Sequence, residues 1–475
     1  MFPKTNYFIN WIEEYWNQLI DIVSFSTYSE VKQHYQNEIK HEINLSCLSE
    51  NDGVLSVELN FVLLITEKWL YRQANVYEKE EVKQYRNHLE ARTALINRYL
   101  FNKQDGFFYD FNAITNKRNE GYNSLHQFYA FWLGFSCDQV LAKKLLNTVD
   151  VHNPKAFVVF MGLRRLGLSK EANLIGKQIG YKVDNYSPRI STNTCPLLRW
   201  HSLFESLDLI KKAGFDTFDH SMEGVDEFFV SEKYIQNAKD LKEYADSIGL
   251  VCNQTHSIFP VYHKTLNIEG TNRRIEYTKR ILEISKILGA KNCIVHPIND
   301  FNEQQNFQFF QKFLPLAEKL DINIATENMW NWSGDKASLA ACSNHNNFKE
   351  LLTLVNNSRF VACVDIGHAE MNGLETTAPK MIENLGNYVK CLHIHDNDLR
   401  FDRHNLPLSE KIDFDLVLDS LARINYQGDI TFECDSYINN MPKELHLSCL
   451  KLMYGIGLYF KDELLIRRKA ICLKK

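Results

Sequence analysis

From Arg189 onward the sequence alternates short apolar segments with amphipathic ones, and this alternation restricts the fold more than any other feature. The apolar segments are rich in β-branched residues, as strands are. The segments between them have apolar residues at helical spacing, as in Ser231–Ile248 and Asn272–Leu288. Repeated strand–helix units with nearly continuous apolar strands favour a parallel sheet, and eight such units favour a closed (β/α)8 TIM barrel. The eight predicted strands are residues 189–194, 215–219, 250–255, 292–296, 322–327, 360–365, 389–393 and 429–433.

The first part of the chain has a different periodicity. Apolar residues recur every three to four positions, beginning with Trp11, Tyr15 and Leu19, and little in this part is typical of a strand. The pattern changes at Tyr186-Ser-Pro188, where proline disfavours a helical residue before it. We therefore predict an all-α helical domain over residues 1–186 and an α/β barrel over residues 187–475.

Composition and charge exclude several classes of protein. A chain of 475 residues with 45% apolar and 24% charged residues has a large core, and its net charge of -5 gives no general attraction to nucleic acid or an anionic membrane. Glu13 and Glu14 lie in the first amphipathic segment, so no signal peptide is expected, and no apolar run is long enough to span a membrane. The 11 cysteines show no paired spacing. We predict a cytoplasmic protein with no nucleic-acid or membrane partner.

Six consecutive predicted strands end in side chains that can bind a metal ion. In a (β/α)8 barrel the carboxyl ends of all strands meet at one face, where active sites lie. One such side chain is usually a hydrogen-bonded cap, but six together predict a polar cluster that forms a site. In chain order they are His256, His296, Glu327, Asp365 with His368, His393 with His395, and Glu433 with Asp435.

The motifs around these residues resemble the xylose-isomerase-like barrel superfamily. They are Thr-Glu327-Asn-Met-Trp, Val-Asp365-Ile-Gly-His368, Leu-His393-Ile-His and Phe-Glu433. They resemble its branch of sugar phosphate isomerases and epimerases, which includes inosose dehydratases, ketose 3-epimerases and endonuclease IV nucleases. The resemblance extends from about Arg189 to Phe460.

The resemblance implies one divalent ion, held by Glu327, Asp365, His393 and Glu433. Three carboxylates and one imidazole suit Mn²⁺, Co²⁺, Mg²⁺ or Zn²⁺. The implied substrate is a small sugar, sugar phosphate or polyol, and the implied catalytic residues are Glu327 and Glu433, which pass a proton through an enediolate on opposite faces of the sugar. The sequence contains no glycine-rich phosphate loop, so it does not establish a phosphorylated substrate, and no nucleotide cofactor is predicted.

Further side chains are predicted to surround the substrate. His256 and His296 are assigned to substrate binding, and His368 either hydrogen-bonds the substrate or orients Asp365. Trp330 and Trp332 follow Glu327 and either stack on a sugar ring or cover the barrel mouth.

Nearby loop residues are candidates for binding an anionic group or a second metal ion. Arg400 and Arg403 can receive a phosphate or carboxylate, although solvated loop arginines are common. Asp402-Arg403-His404 resembles a loop of the endonuclease IV branch, in which His368, Asp402 and His404 help to hold additional zinc ions. We predict a single ion and keep a second ion at these three residues as the alternative.

The helical domain resembles part of the trehalase-like inverting glucosidases. The resemblance lies in Ser56-Val-Glu58, in the Asp105-Gly-Phe-Phe-Tyr-Asp110 loop and in Gly162-Leu-Arg164-Arg165. Such enzymes need two carboxylates across the glycosidic bond, and the motif bearing the acid is not matched here. We therefore predict a truncated, non-catalytic domain in which Asp105 forms a turn and Asp110 a cap. Its role is to close over the barrel site or to mediate assembly into a homo-oligomer.

Our prediction is a metal-dependent sugar isomerase or epimerase. Three alternatives use the same parts. They are a dehydratase resembling inosose dehydratases, an endonuclease-IV-like multi-zinc phosphodiesterase, and an inactive carbohydrate-binding or scaffold protein. The last is disfavoured because buried carboxylates are costly without an ion.

Overall fold

The structure is a computed structural model that describes residues 29–36, 54–150, 153, 155–166, 168–179, 186–262 and 265–468. The chain divides into two compact units, one formed by Met1–Asn185 with Leu465–Lys475 and the other by Tyr186–Leu464. The helical pattern predicted from Trp11 to Leu19 lies outside the described residues. No helix among the described residues is long and apolar enough to cross a membrane.

The first unit is helical, as predicted. A small antiparallel sheet of β1 (Val54–Leu55), β2 (Phe111–Asn112) and β3 (Lys117–Arg118) accompanies the helices. A 3₁₀ turn spans Lys79–Glu81 and a π-helical turn spans Ile96–Leu100. Among the described residues of this unit, α-helical structure covers residues 29–36, Val57–Tyr77, Val82–Leu95, Ser124–Leu133, Gln139–Leu146, Phe157–Arg165 and Ser169–Gln178.

Two aspartates of the first unit have local structural partners. The Asp105 carboxylate accepts hydrogen bonds from the Phe107 amide at 3.0 Å and the Tyr109 hydroxyl at 2.8 Å, as a turn-forming aspartate does. Asp110 accepts a hydrogen bond from the Val57 amide at 2.7 Å, at the start of the helix Val57–Tyr77. A carboxylate at this position satisfies an amide that has no partner within the helix.

The second unit is the predicted eight-stranded parallel barrel. Its strands are β4 (Ile190–Asn193), β5 (Thr217–Ser221), β6 (Val251–His256), β7 (Asn292–Ile294), β8 (Asn323–Glu327), β11 (Phe360–Asp365), β12 (Val389–His393) and β13 (Ile430–Phe432). The sheet order is β12-β11-β8-β7-β6-β5-β4-β13, and a parallel bridge between Ile394 and Phe432 joins its two ends. The predicted α/β fold class is therefore confirmed.

The helices of the barrel pack their apolar faces on the outside of this sheet. One large apolar cluster fills the space between sheet and helices, while a small one that includes Cys363 and Cys391 lies apart from it. The helices are Cys195–Leu198, Leu203–Ala213, Asp226–Val230, Tyr234–Ser247, Ile268–Leu288, Glu303–Phe310, Leu314–Leu320, His345–Val355, Ile366–Ala369, Ala378–Leu385, Phe414–Arg423, Asp435–Asn439 and His446–Arg467, with 3₁₀ turns at Gly386–Tyr388 and Lys443–Leu445.

The observed helix limits differ from the predicted ones where a cap decides them. The helix predicted from Asn272 begins at Ile268, because the Asn267 side chain accepts a hydrogen bond from the Gly270 amide at 2.7 Å. The loop after β8 also contains a hairpin, β9 (Asn331–Ser333) paired with β10 (Lys336–Ser338).

Candidate metal and active site

Strand register brings the four predicted metal ligands to one end of the barrel. Asp365 and His393 are direct partners at the ends of β11 and β12, and Glu327 at the end of β8 pairs with Cys363 of β11. Glu433 follows β13 directly. Glu327, Asp365 and His393 are at most 1% exposed and Glu433 is 9% exposed, so water is largely excluded from this group.

The four side chains converge closely enough to share one ion. Nδ1 of His393 lies 3.1 Å from Oε2 of Glu327 and 3.2 Å from Oε2 of Glu433. One ligand atom from each of the four residues lies within 4.8 Å of the others. The predicted ligand set is thus assembled in space, and its role as a metal site stays a prediction.

Unsatisfied atoms in this cluster fit a divalent cation. Oε2 of Glu327, Oδ2 of Asp365 and Nδ1 of His393 are buried. Although Nδ1 of His393 lies 3.1 Å from Oε2 of Glu327, none of the three atoms makes a hydrogen bond of acceptable geometry to a described residue. Buried carboxylate oxygens without hydrogen bonds are expensive, whereas a cation accepts lone pairs from both oxygen and imidazole nitrogen. The donor set, three carboxylates and one imidazole, is one that divalent ions accept.

Two more predicted histidines stand beside Glu327. Nε2 of His296 lies 3.3 Å from Oε2 of Glu327, and Nε2 of His256 lies 4.0 Å from the same oxygen. The two Nε2 atoms are 2.9 Å apart. They therefore reach the cluster of predicted metal ligands from β6 and from the segment after β7, where they can contact a substrate or an additional ion.

A second cluster lies next to the first. It contains the three residues predicted for a second ion and one further residue, His395. His368, Asp402 and His404 meet as predicted for a second ion, with Oδ2 of Asp402 at 3.2 Å from His368 Nε2 and 3.1 Å from His404 Nε2. His395 joins them. Its Nε2 lies 3.1 Å from Oδ1 of Asp365 and 3.5 Å from Oδ1 of Asp402, so it lies between the two clusters.

The signal for His395 was present in the sequence. Two residues after His393, it continues the same face of the chain beyond β12, because strand side chains alternate. Its ring stacks on that of His404 at 4.0 Å. Gly367 makes room for this ring, since a Cβ at position 367 would overlap the His395 imidazole.

The ionisable side chains of the two clusters strongly affect one another's pKa values. Burial opposes ionisation of Glu327, but the imidazoles of His393 and His296 outweigh it and hold the pKa of this carboxyl well below its usual range. Burial lowers the pKa of His368, but Asp365 and Asp402 outweigh it and raise the pKa to about 10. The carboxyl group of Glu327 is thus ionised at neutral pH, and a proton on His368 supplies positive charge where a cation would otherwise do so.

Supporting residues that the sequence did not indicate hold these ligands in place. Oδ2 of Asp219 lies 3.5 Å from Nε2 of His393 and accepts a hydrogen bond from Gln254 at 2.8 Å. Asn328 exchanges two hydrogen bonds with the Asp365 backbone, at 2.8 and 2.9 Å. Asn193 donates to Glu433 at 3.4 Å. Partners of this kind orient metal ligands, and only the three-dimensional structure identifies them.

The clusters open into a cavity of about 350 Å³, called here the inner cavity. Trp330 lines it, together with Phe259, but Trp332 does not. Arg400 lies 3.3 Å from Asp335 and Arg403 lies 2.8 Å from Asp398, and neither arginine lines the inner cavity. Their assignment to substrate binding stays a prediction.

Comparison with known proteins agrees with this architecture. In the first unit, a family model described as trehalase matches residues 43–178, as the resemblance predicted. Uncharacterized protein MJ1311 of Methanocaldococcus jannaschii is 25% identical over 242 residues, which cover 49% of this chain and 79% of that protein. Uncharacterized protein y4fM of Sinorhizobium fredii is 26% identical over 283 residues, covering 50% of this chain and 85% of that protein.

The barrel also resembles solved structures. A D-tagatose 3-epimerase-like protein is 21% identical and has a TM-score of 0.47, covering 58% of this chain and 98% of that chain. The family model described as xylose isomerase-like TIM barrel matches residues 207–450, which is just over half of the sequence. The superfamily predicted from the strand-end motifs is confirmed, and the chain belongs to the xylose isomerase-like TIM barrel family.

Proposed function

We propose that the barrel is a divalent-metal-dependent isomerase or epimerase of a sugar or sugar phosphate. The observation that supports it most is the approach of Glu327 and Glu433 to the same nitrogen of His393, at 3.1 and 3.2 Å, in a buried cavity. Two carboxylates beside one cation are what a proton transfer between the two faces of a sugar requires.

The two glutamates come from well-separated parts of the barrel. β8 and β13 are three strands apart in the closed ring of eight, with β11 and β12 between them. Side chains from such positions reach a common centre from different directions. A sugar held between them therefore presents one face to Glu327 and the other to Glu433.

Glu327, Asp365, His393 and Glu433 would hold the ion. When bound there, a divalent cation would supply Lewis-acid chemistry that acidifies the C–H bond next to the sugar carbonyl. The carboxylate of one glutamate takes this proton. The other glutamate, after it has taken up a proton from solvent, returns a proton to the resulting enediolate. Return to the same carbon from the opposite face inverts it, and return to the neighbouring carbon moves the carbonyl group.

Other residues of the site keep these groups in position. The imidazoles of His393 and His296 hold the pKa of Glu327 low and keep its carboxylate ionised. Asp219 lies 3.5 Å from Nε2 of the His393 ring, and Asn193 donates a hydrogen bond to the Glu433 carboxylate. Trp330 and Phe259 line the cavity and displace water from it.

Solvent exchange of a sugar C–H proton tests this function. The metal-loaded protein is incubated with ketoses and aldoses in D₂O, and deuterium uptake is followed by NMR. Glu433→Gln should reduce the exchange rate by about 10²- to 10⁴-fold, as expected for loss of a general base. Glu318→Gln, the same change on the exposed side of the helix Leu314–Leu320, is the control.

The outcomes separate the alternatives. Full exchange in Glu433→Gln would remove this residue from the mechanism, and no exchange with any sugar would refute the proposed function. Loss of one water from a polyol ketone, detected by mass, would identify a dehydratase instead.

Phosphodiester hydrolysis is a second candidate, favoured by one observation. The cluster of His368, His395, Asp402 and His404 adds a potential second ion site beside the first. Two neighbouring ions can stabilise the attacking and leaving oxygens of a phosphodiester. Two or three zinc ions per chain, together with nicking of abasic DNA, would support this candidate over the isomerase.

A further inference from the structure

A second cavity adjoins the inner one at the mouth of the barrel, and we call it the outer cavity. It has a volume of about 280 Å³ and lies between the segments that follow β6 and β7 and the hairpin residue Asn331. Phe259 and Asn299 line both cavities, so the two spaces share a wall. We propose that the outer cavity is a subsite for a second, neutral sugar ring linked to the reacting sugar. This inference rests on the proposed function.

Cavity size supports a substrate larger than one monosaccharide. Small-molecule sites usually span about 300–1,000 Å³. The inner cavity, with about 350 Å³, lies at the bottom of that range and contains the ion-binding clusters. The combined volume of the two cavities lies well inside this range. A ligand that fills both has its reacting end at Glu327 and its other end beyond Phe259.

Aromatic side chains give the outer cavity a surface for a sugar ring. The Phe259 side chain is 40% exposed, and its ring packs on the His296 ring at 4.6 Å. The Tyr262 ring packs on Phe301 at 5.3 Å. The chain between them is held by Arg274, which donates a hydrogen bond to the Pro260 carbonyl at 2.6 Å. An apolar aromatic face at a fixed position suits the C–H face of a pyranose.

Polar groups in the same cavity suit hydroxyl groups. Asn299 donates to the Trp330 carbonyl at 3.1 Å, while its own Oδ1 is buried and has no hydrogen-bond partner among the described residues. A buried acceptor without a partner is costly, and a ligand hydroxyl would satisfy it. Asn331 and Asp300 add further amide and carboxylate groups to the lining.

The charge of the lining selects a neutral ligand. The described residues that line the outer cavity include the carboxylate of Asp300 but neither lysine nor arginine. A phosphate or carboxylate would find no cation among these described lining residues and would be repelled by Asp300. Sugar hydroxyls, in contrast, donate hydrogen bonds to carboxylate and amide oxygens.

Calorimetric titration of the metal-loaded full chain with matched sugars tests the subsite. The probes are D-fructose against isomaltulose and D-glucose against isomaltose, which differ by one neutral glucosyl unit, and D-fructose 6-phosphate as the charged probe. The glucosylated member of at least one pair should bind about tenfold or more tightly than its monosaccharide. Phe259→Ala and Asn331→Ala should abolish this difference. Phe204→Ala, which replaces a 42%-exposed phenylalanine on the outer helix Leu203–Ala213, should preserve it.

The possible outcomes distinguish failure of the subsite from failure of the proposed function. Equal affinity for both members of each pair, with monosaccharide proton exchange intact, would overturn the subsite and leave the proposed function standing. Tighter binding of the phosphate than of the glucosylated sugar would overturn the neutral character of the subsite. A glucosyl preference that persists in both variants would overturn its location, and absence of binding and exchange with every probe would overturn the inference together with the proposed function.

Discussion

Replacing His220 with leucine is predicted to protect the barrel against acid. His220 lies on β5, is fully buried, and neither ring nitrogen has a hydrogen-bond partner among the described residues. Its ring meets the edge of Phe228 at a centroid distance of 5.0 Å. Burial lowers the pKa of this imidazole from 6.5 to about 4, and the Asp219 charge opposes the shift only in part.

The direction and size of the change in stability with pH follow from these two pKa values. Because the unfolded chain binds the proton near pH 6.5 and the folded chain only near pH 4, the unfolded state holds more protons between them. His220 therefore lowers the free energy of unfolding of the wild-type protein progressively as the pH falls through this interval. Below it, the contribution of His220 no longer changes. A shift of this size corresponds to about 3 kcal/mol in the free energy of unfolding. Leucine at this position removes that loss.

Denaturant unfolding of the metal-free protein between neutral pH and about pH 4 measures the effect. Pulsed hydrogen exchange read by mass spectrometry reports peptides of the barrel separately from those of the helical unit. The stability difference between His220→Leu and wild type should grow steadily as the pH falls. Phe218→Leu, a buried non-titrating neighbour on the same strand, is the control and should show a constant difference. A constant difference for His220→Leu as well would refute the reasoning.

Two further substitutions test packing within each unit. Gly367→Ala places a Cβ against the His395 ring and should lower barrel stability by about 1–3 kcal/mol in urea unfolding. Gly455→Ala is the control and should cause no loss, because a Cβ at that position meets nothing within 4 Å. Equal effects of the two substitutions would contradict the close contact at Gly367. Arg92→Leu removes a 2.7 Å ion pair with the buried Glu67 and should cost the helical unit about 3–5 kcal/mol. The Glu67→Leu/Arg92→Leu double variant should recover only part of this loss, because it also removes hydrogen-bond partners of the Tyr35 hydroxyl and the Asn60 side-chain oxygen. A double variant as unstable as the single one would show that the unpaired charge does not cause the loss.

The barrel could be predicted because its strands are buried on both faces. Phe360–Asp365 and Val389–His393 are nearly continuous apolar runs with polar ends, and both strands have the predicted limits. Parallel register then fixes which ends are neighbours, so Asp365 and His393 meet without further information. The predicted start at Asn272 was wrong because periodicity does not reveal a cap such as Asn267.

The surroundings of the site were less predictable, because they depend on loop conformation. His404 has a φ of 44° and Leu399 a φ of 67°, left-handed values that a local apolar pattern does not indicate. These turns help to bring Asp402 and His404 to the second cluster while Arg403 pairs with Asp398. Asp219 was likewise not indicated, since its role depends on facing His393 from another strand.

The metal content per chain tests the central claim most directly. Plasma mass spectrometry is applied to the purified wild type, to Asp365→Ala and to Asp335→Ala, a control at an exposed aspartate of the β9–β10 turn. The account predicts one divalent ion per chain in the wild type and in Asp335→Ala, and its loss in Asp365→Ala. Retention of the ion in Asp365→Ala, or no bound ion after loading with Mn²⁺, Co²⁺, Mg²⁺ or Zn²⁺, would contradict it.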